Sequence, residues 1–420
     1  MTIAPAAAAP ATAVPPDSRS LREIQAALRK TTETLAHELA SPGGAVPQWS
    51  ESEWLIARAV VSMHGVAALL SRSLRWQGVP GWTQFLSEQR AHTEIRFGRI
   101  QSLLQSLDDE ARRSALPLVA LKGAALHALG IYMPGDRPMA DVDLLARVAD
   151  TERAVKLLET LGFHETYANW KHRVFEPVAG RETAGFGENS TNAMKIELHF
   201  HIGEQLPLRA VDVSQRIYAR PDQPGLNTYS CKAALMAHLL LHAAGAMVFR
   251  ALRLIHLNDL ARLSARMTAS DWDELLSTEE PGSQTVWWAY PPLALTALYY
   301  ESAIPERVLA ATRACCPWLL RRVSERRTLS DVSFSHLWIN AFPGIEWARS
   351  PREMFAYAAA RVAPTPEIKA LRAVSADLHP AFTGAWNRMS QGRRMVRWVT
   401  SRPARPETLQ TVNAALAQPH

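Results

Sequence analysis

The sequence predicts an α+β fold, a small mixed-sheet core flanked by N-terminal and C-terminal helical regions. Apolar residues recur at helical spacing from about Ser18 to Leu107 and again from Cys231 onward. Between them lie short apolar runs of strand length, punctuated by Gly, Pro and Asp. One of these, residues 195–202, alternates strictly: Ile196, Leu198, Phe200 and Ile202 face one way, Lys195, Glu197, His199 and His201 the other. The 420 residues, 47% hydrophobic, suffice for two or three domains with a substantial core.

The elements follow in order. An Ala/Pro tail over 1–17 precedes an N-terminal helical module over 18–112, in which Leu21, Ile24, Leu28 and Leu35 mark one apolar face. Amphipathic runs span Trp54–Leu74 and Phe85–Leu107. The α/β core, 113–228, opens with a strand at Leu116–Leu121, broken by Lys122-Gly123 into a short helix from Ala124 to Leu129. Gly130–Pro138 has loop composition, and Ala140–Leu145 alternates as a strand. Asp150 suits the N-cap of a helix over Thr151–Leu161, which Gly162 closes. Two strands, Phe163–Tyr167 and Lys171–Val178, a polar loop over 179–192 and the 195–202 strand complete the reading. A C-terminal helical domain occupies 229–400, and 401–420 reads as a tail.

Composition narrows the function classes. Three cysteines, two of them adjacent, cannot build a disulfide framework, which points to a reducing, cytoplasmic setting. The first 16 residues lack the basic start and unbroken apolar stretch of a signal peptide. The uncharged run 233–249 is too short, with His238 and His242 inside it, for a membrane span and reads as a core helix. The net charge of +6 is uneven: Arg313–Arg405 alone carries 15 Arg and one Lys against six acids, so residues 1–312 are slightly acidic. That basic quarter suits phosphates or nucleic acid, or is simply an arginine-rich surface.

The chemistry lies in the middle. Asp141 and Asp143, one residue apart on a strand, project from one face while Val142 and Leu144 take the other. Two like charges so close suit a divalent cation between them, and hard Mg²⁺ takes one or two carboxylates plus substrate phosphates. Glu197, on another period-two strand, can reach the same face. The strand that ends at Gly123 and opens into a helix offers backbone N–H groups to phosphate, and Lys122 and Arg137 offer charge. The plain alternatives are a solvated strand face for the aspartates and structural ion pairs for the two cations. His199 and His201 have the H-x-H spacing of a zinc strand, but no further ligand is identifiable. His199 is instead expected beside the site or on substrate, Asp259 to cap or contact it from the helical domain, and His238 and His242 in the core.

The run LKGAALHALGIYMPGDRPMADVDLL, then Gly162-Phe163 and IELHF at 196–200, resembles a little-characterised bacterial nucleotidyltransferase family of the DNA polymerase β-like nucleotidyltransferase superfamily. The resemblance is strong over 115–205 and extends weakly to His238, His242 and NDLARL at 258–263. It implies that Asp141, Asp143 and Glu197 are catalytic and ligate Mg²⁺, or Mn²⁺, and that Glu197 helps deprotonate the acceptor. It places Lys122, Gly123, Ala124 and Arg137 on the nucleotide. The turn reads Gly-Ala where the superfamily commonly has Gly-Ser, leaving Lys122 to supply part of that phosphate contact. The implied reaction is Mg²⁺-dependent transfer of a nucleoside monophosphate from an NTP to an acceptor hydroxyl, with release of pyrophosphate. The acidic front of the chain favours a small molecule or protein as acceptor. An RNA- or tRNA-modifying or toxin-like transferase ranks second, and a non-catalytic nucleotide-binding protein is the remaining alternative.

Overall fold

The computed structural model describes residues 20–178, 186–207, 209–218, 222–277, 286–365 and 385–418. The expected 1–17 tail and residues 179–185 of the expected loop lie outside them.

The N-terminal helices begin on side chains that satisfy free N–H groups. Ser20 and Ser50 each accept from the backbone three residues on, while the Glu23 and Glu53 carboxylates accept from the serine N–H groups. These caps start α1 (Leu21–Ala40) and α2 (Glu51–His64). Gly65, at φ 66°, ends α2 in the left-handed region and turns the chain into α3 (Ala67–Ser73). The long α4 (Pro80–Arg113) follows. Trp49, Trp54, Trp76 and Trp82 pack ring on ring at 4.7–6.4 Å and pin these helices together.

The core sheet contains β1 (Pro117–Ala120), β2 (Asp141–Leu145), β3 (Phe163–Ala168), β4 (His172–Pro177), β5 (Lys195–His199) and β8 (Gly225–Asn227), in the order β3-β4-β5-β2-β1-β8. Strands β2 and β5 run parallel, as do β1 and β8; the other pairs are antiparallel. A separate ribbon pairs β6 (Gly203–Gln205) with β7 (Ala210–Asp212). On one face Val142, Leu144, Phe175, Ile196 and Leu198 are buried against α4 and the helix Thr151–Thr160. The opposite face, with Val119 and Leu145, packs under the helices Lys232–Val248 and Leu254–Ser264. That second core is continuous from Ile24 to Ala415, so the flanking helical regions share one interior. The fold is thus mixed α and β, as the pattern predicts.

Several local expectations differ. The alternation of 195–202 outlasts its strand: pairing stops at His199, and the N–H groups of Phe200 and His201 both turn to Lys171 O. Asp150 caps nothing with its side chain, which accepts from Arg153 instead. Residues 401–420, expected as a tail, contain the helix Pro406–Leu416, whose Val412 and Ala415 are fully buried. Among the described residues no single helix is long and apolar enough to cross a membrane.

His64 stitches the N-terminal module to the C-terminal helices. Its Nδ1 accepts from Leu254 N at 2.9 Å, so Nε2 carries the proton and donates to Ser335 Oγ at 3.0 Å. Burial, with Arg253 nearby, pushes its pKa down to about 3. The unfolded chain takes up this proton below its ordinary pKa of about 6.5 and the fold does not. Stability is therefore full above that pH and lost as pH falls toward the folded value. His238, His242 and His256, lowered chiefly by burial, act with the same sign. Unfolding free energies from urea titrations should drop as pH falls below 6.5, by up to about 1.4 kcal/mol per pH unit for each such histidine. A value unchanged between pH 7 and 5 would contradict this.

Candidate active site

The parallel pairing of β2 and β5 sets Asp143 directly opposite Glu197 and Asp141 opposite Lys195. Because Val142, Leu144, Ile196 and Leu198 are held in the core, all three carboxylates must emerge on the other face. There they line a cavity of about 480 Å³ together with Lys122, Gly123, Ala124, Arg137 and Asp259. The structure thus brings these eight sequence-predicted residues into one cleft, roofed by His242, His256 and Arg253, while His199 does not line it and reaches it only through Asp143 and Glu197. The cleft is in the size range of a nucleotide-sized ligand site.

Charge is crowded in it. Lys122 Nζ lies 2.7 Å from Asp143 Oδ1, and His199 Nε2 lies 2.9 Å from the same oxygen and 3.3 Å from Glu197 Oε2. Since both partners only accept, Nε2 carries a proton and the ring is fixed between them. Burial alone would raise the Asp143 and Glu197 pKa values; Lys122 and His199 reverse this, holding Asp143 well below the usual carboxylate range and Glu197 below its own. Burial would likewise depress His199 and Lys122, but the surrounding carboxylates lift both above their ordinary values. Asp141 makes no ion pair among the described residues; burial, then the charges of Asp143 and Glu197, push it up to about 6. Three oxygen donors on one face, one of them lacking its own cation, fit a hard divalent ion.

His172 is the residue that sequence reasoning lacked for a His-Glu-His cluster. It stands opposite His199 across the β4–β5 ladder, and His172, Glu197 and His199 each bring a donor atom within 4.8 Å of the others. Asn169 opposes a ligand role for His172. Its Oδ1 accepts from the N–H groups of Lys171 and His172, so its Nδ2 faces His172 Nε2 at 3.2 Å. The neutral ring, whose pKa burial lowers to about 4, then keeps its proton on Nδ1, a buried atom without a partner. His201 turns away to Asp212, 3.4 Å distant, and His238 bonds Tyr229 in the core.

Arg137 and Asp259 meet across 122 positions of sequence. Arg137 Nε and Nη2 grip the two carboxylate oxygens at 2.9 and 2.8 Å, and Tyr132 Oη donates to the same carboxylate at 2.7 Å. The fork tethers the loop before β2 to the helix Leu254–Ser264. Lys122 and Arg137 therefore reach the cleft with their charges already paired. Gly123 leaves room for this packing: a Cβ there would collide with Arg137 Nη1 and come within 2.8 Å of Met139 Sδ. Gly123→Val should cost about 1–3 kcal/mol in denaturant titration. Unaltered stability would show that the fork yields freely.

A family model for uncharacterised nucleotidyltransferases matches residues 50–291, more than half of the chain. The chain belongs to that uncharacterised nucleotidyltransferase family. Within this nucleotidyltransferase, the matched region takes in α2 to α4, the whole described sheet and the helices that roof the cleft, including Arg253 and Asp259. No curated protein and no solved structure matches the chain.

Proposed function

We propose that this nucleotidyltransferase moves a nucleoside monophosphate from an NTP to an acceptor hydroxyl, on a small molecule or protein, in a reaction that depends on Mg²⁺ or Mn²⁺. The observation that carries the reading is the register of β2 and β5, which aims Asp141, Asp143 and Glu197 into one cleft. These three carboxylates would hold the divalent cation, which supplies charge neutralisation for the attacking and leaving oxygens. His199, bonded to both Asp143 and Glu197, keeps the two carboxylates in register. The acceptor oxygen bonds to the α-phosphorus as the bond from that phosphorus to the bridging oxygen breaks. Pyrophosphate leaves with the electron pair. The hydroxyl proton passes to Glu197 and from there to solvent.

The arginine-rich end of the chain gives RNA little support as acceptor. Arg405 donates to the carbonyls of Phe249 and Arg250, Arg361 to Ala341 O, and Arg327 pairs with the buried Glu346. Part of that charge is thus structural. The test incubates α-labelled ATP, GTP, CTP and UTP with Mg²⁺ and cell-extract fractions of small molecules, protein and RNA. Transfer of label to the first or second fraction, abolished by EDTA, is expected. Label in none of them, from any nucleotide, overturns the reading.

A further inference from the structure

Arg253 precedes the helix Leu254–Ser264 and lines two cavities at once: the carboxylate cleft, and a second space of about 310 Å³ bounded by α2, α3 and the helix Pro406–Leu416. The two cavities also share Ser62, Gly65, Pro138, Glu188 and Phe334, so the guanidinium stands at their joint. Each other cation near the cleft is engaged. Lys122 is on Asp143, Arg137 is forked on Asp259, and Arg96 lies 3.4 Å from Glu188 and donates to Met139 O. Among the described residues Arg253 alone of these four has no carboxylate within 4.0 Å, although Asp141 and Glu188 are close enough to act on it through space. Burial and the like charge of Arg137 make that position costly for an unpaired cation. The neighbouring histidines, His64 and His256, are kept neutral by burial and supply no anion.

A half-buried guanidinium with no carboxylate of the described residues within 4.0 Å, beside a carboxylate cluster that calls for a cation, is the complement of a bound polyanion. We propose that Arg253 grips the β- and γ-phosphates of the NTP, and the pyrophosphate they become, at the joint of the two cavities. This rests on the transfer reaction proposed above and adds the residue that receives its leaving group. Lys122 and Arg137 then serve to position the site's carboxylates and loop, and Arg253 carries the anion contact. When the bond between the α-phosphorus and the bridging oxygen breaks, negative charge grows on the departing pyrophosphate, where two guanidinium N–H groups can meet two phosphate oxygens.

The test is equilibrium binding, in Mg²⁺, of inorganic pyrophosphate, of α,β-methylene NTP analogues and of nucleoside monophosphates to wild type, Arg253→Lys and Arg253→Gln. Arg253→Gln should bind pyrophosphate and the NTP analogues about 10- to 100-fold more weakly and monophosphates unchanged, with Arg253→Lys between. The thermal midpoint should hold or rise, since among the described residues the charge has no carboxylate within 4.0 Å to lose and burial disfavours it; in turnover, KM for the NTP should rise and kcat fall. Equal weakening for monophosphates would move the contact to the α-phosphate or the acceptor and overturn the assignment. So would unchanged pyrophosphate binding by Arg253→Gln beside a wild type that binds it. A wild type that binds neither pyrophosphate nor any NTP analogue would instead sink the transferase reading, and this inference with it.

Discussion

Asp141→Asn should lower the proposed nucleotide transfer by about a thousandfold while leaving the fold as stable as before, or more so. Loss of one carboxylate from the cation's oxygen donors removes several kcal/mol of transition-state stabilisation, and each 1.4 kcal/mol or so is tenfold in rate. The stability half follows from the same crowding. The Asp141 pKa is raised to about 6 because burial and the charges of Asp143 and Glu197 disfavour its ionised form. Above that pH the folded protein holds a charge that the unfolded chain would keep more comfortably, so the neutral amide should raise stability by about 1–2 kcal/mol at pH 7.5. The gain should vanish below pH 4, where the carboxyl is protonated in both states. Asp143→Asn should also abolish transfer but destabilise, because it strips Lys122 of its 2.7 Å partner. Paired rate and denaturation measurements check both halves. An Asp141→Asn enzyme that is active, or that is inactive only because it unfolds, would contradict the site described here.

Asp259→Leu destabilises the protein by about 3–5 kcal/mol, since it leaves the buried Arg137 guanidinium unpaired and Tyr132 without its acceptor. The companion result separates this from loss of packing. Arg137→Met in the same chain removes the stranded charge, and the double variant should recover most of the loss. Urea titrations of the two single variants and the double variant measure the coupling. Additive losses would mean that the fork contributes little beyond its volume.

Much of the site was legible because its grammar is local. Period-two alternation around Asp141 and Asp143 assigns both to one face, and Glu197 obeys the same rule, so only their pairing awaited the structure. What crosses between elements was not legible. His172 meets His199 because β4 and β5 pair in one particular register, which no single strand encodes. The Arg137–Asp259 fork joins residues 122 positions apart, each ambiguous alone between substrate contact and ion pair. Arg253 lies in the stretch LRLIHLNDL, where an arginine among apolar residues was its one signal; that no carboxylate of the described residues lies within 4.0 Å of it is visible only in three dimensions. Strands β6, β7 and β8 have three residues each, too few for alternation to register. The helix Pro406–Leu416 follows an Arg/Pro-rich stretch and is short enough to pass for a tail, yet it seats Thr408, Val412 and Ala415 in the core.

The central claim is that Asp141, Asp143 and Glu197 together hold a divalent ion beside a nucleotide. Its most direct test titrates Mn²⁺ into wild type and the Asp141→Asn protein, counting the free ion by electron paramagnetic resonance with and without an α,β-methylene NTP analogue. Wild type should bind Mn²⁺, more tightly with the analogue present, and Asp141→Asn should lose that binding while remaining folded. Equal Mn²⁺ binding by the two proteins, or none by wild type in the presence of any nucleotide analogue, would contradict the account.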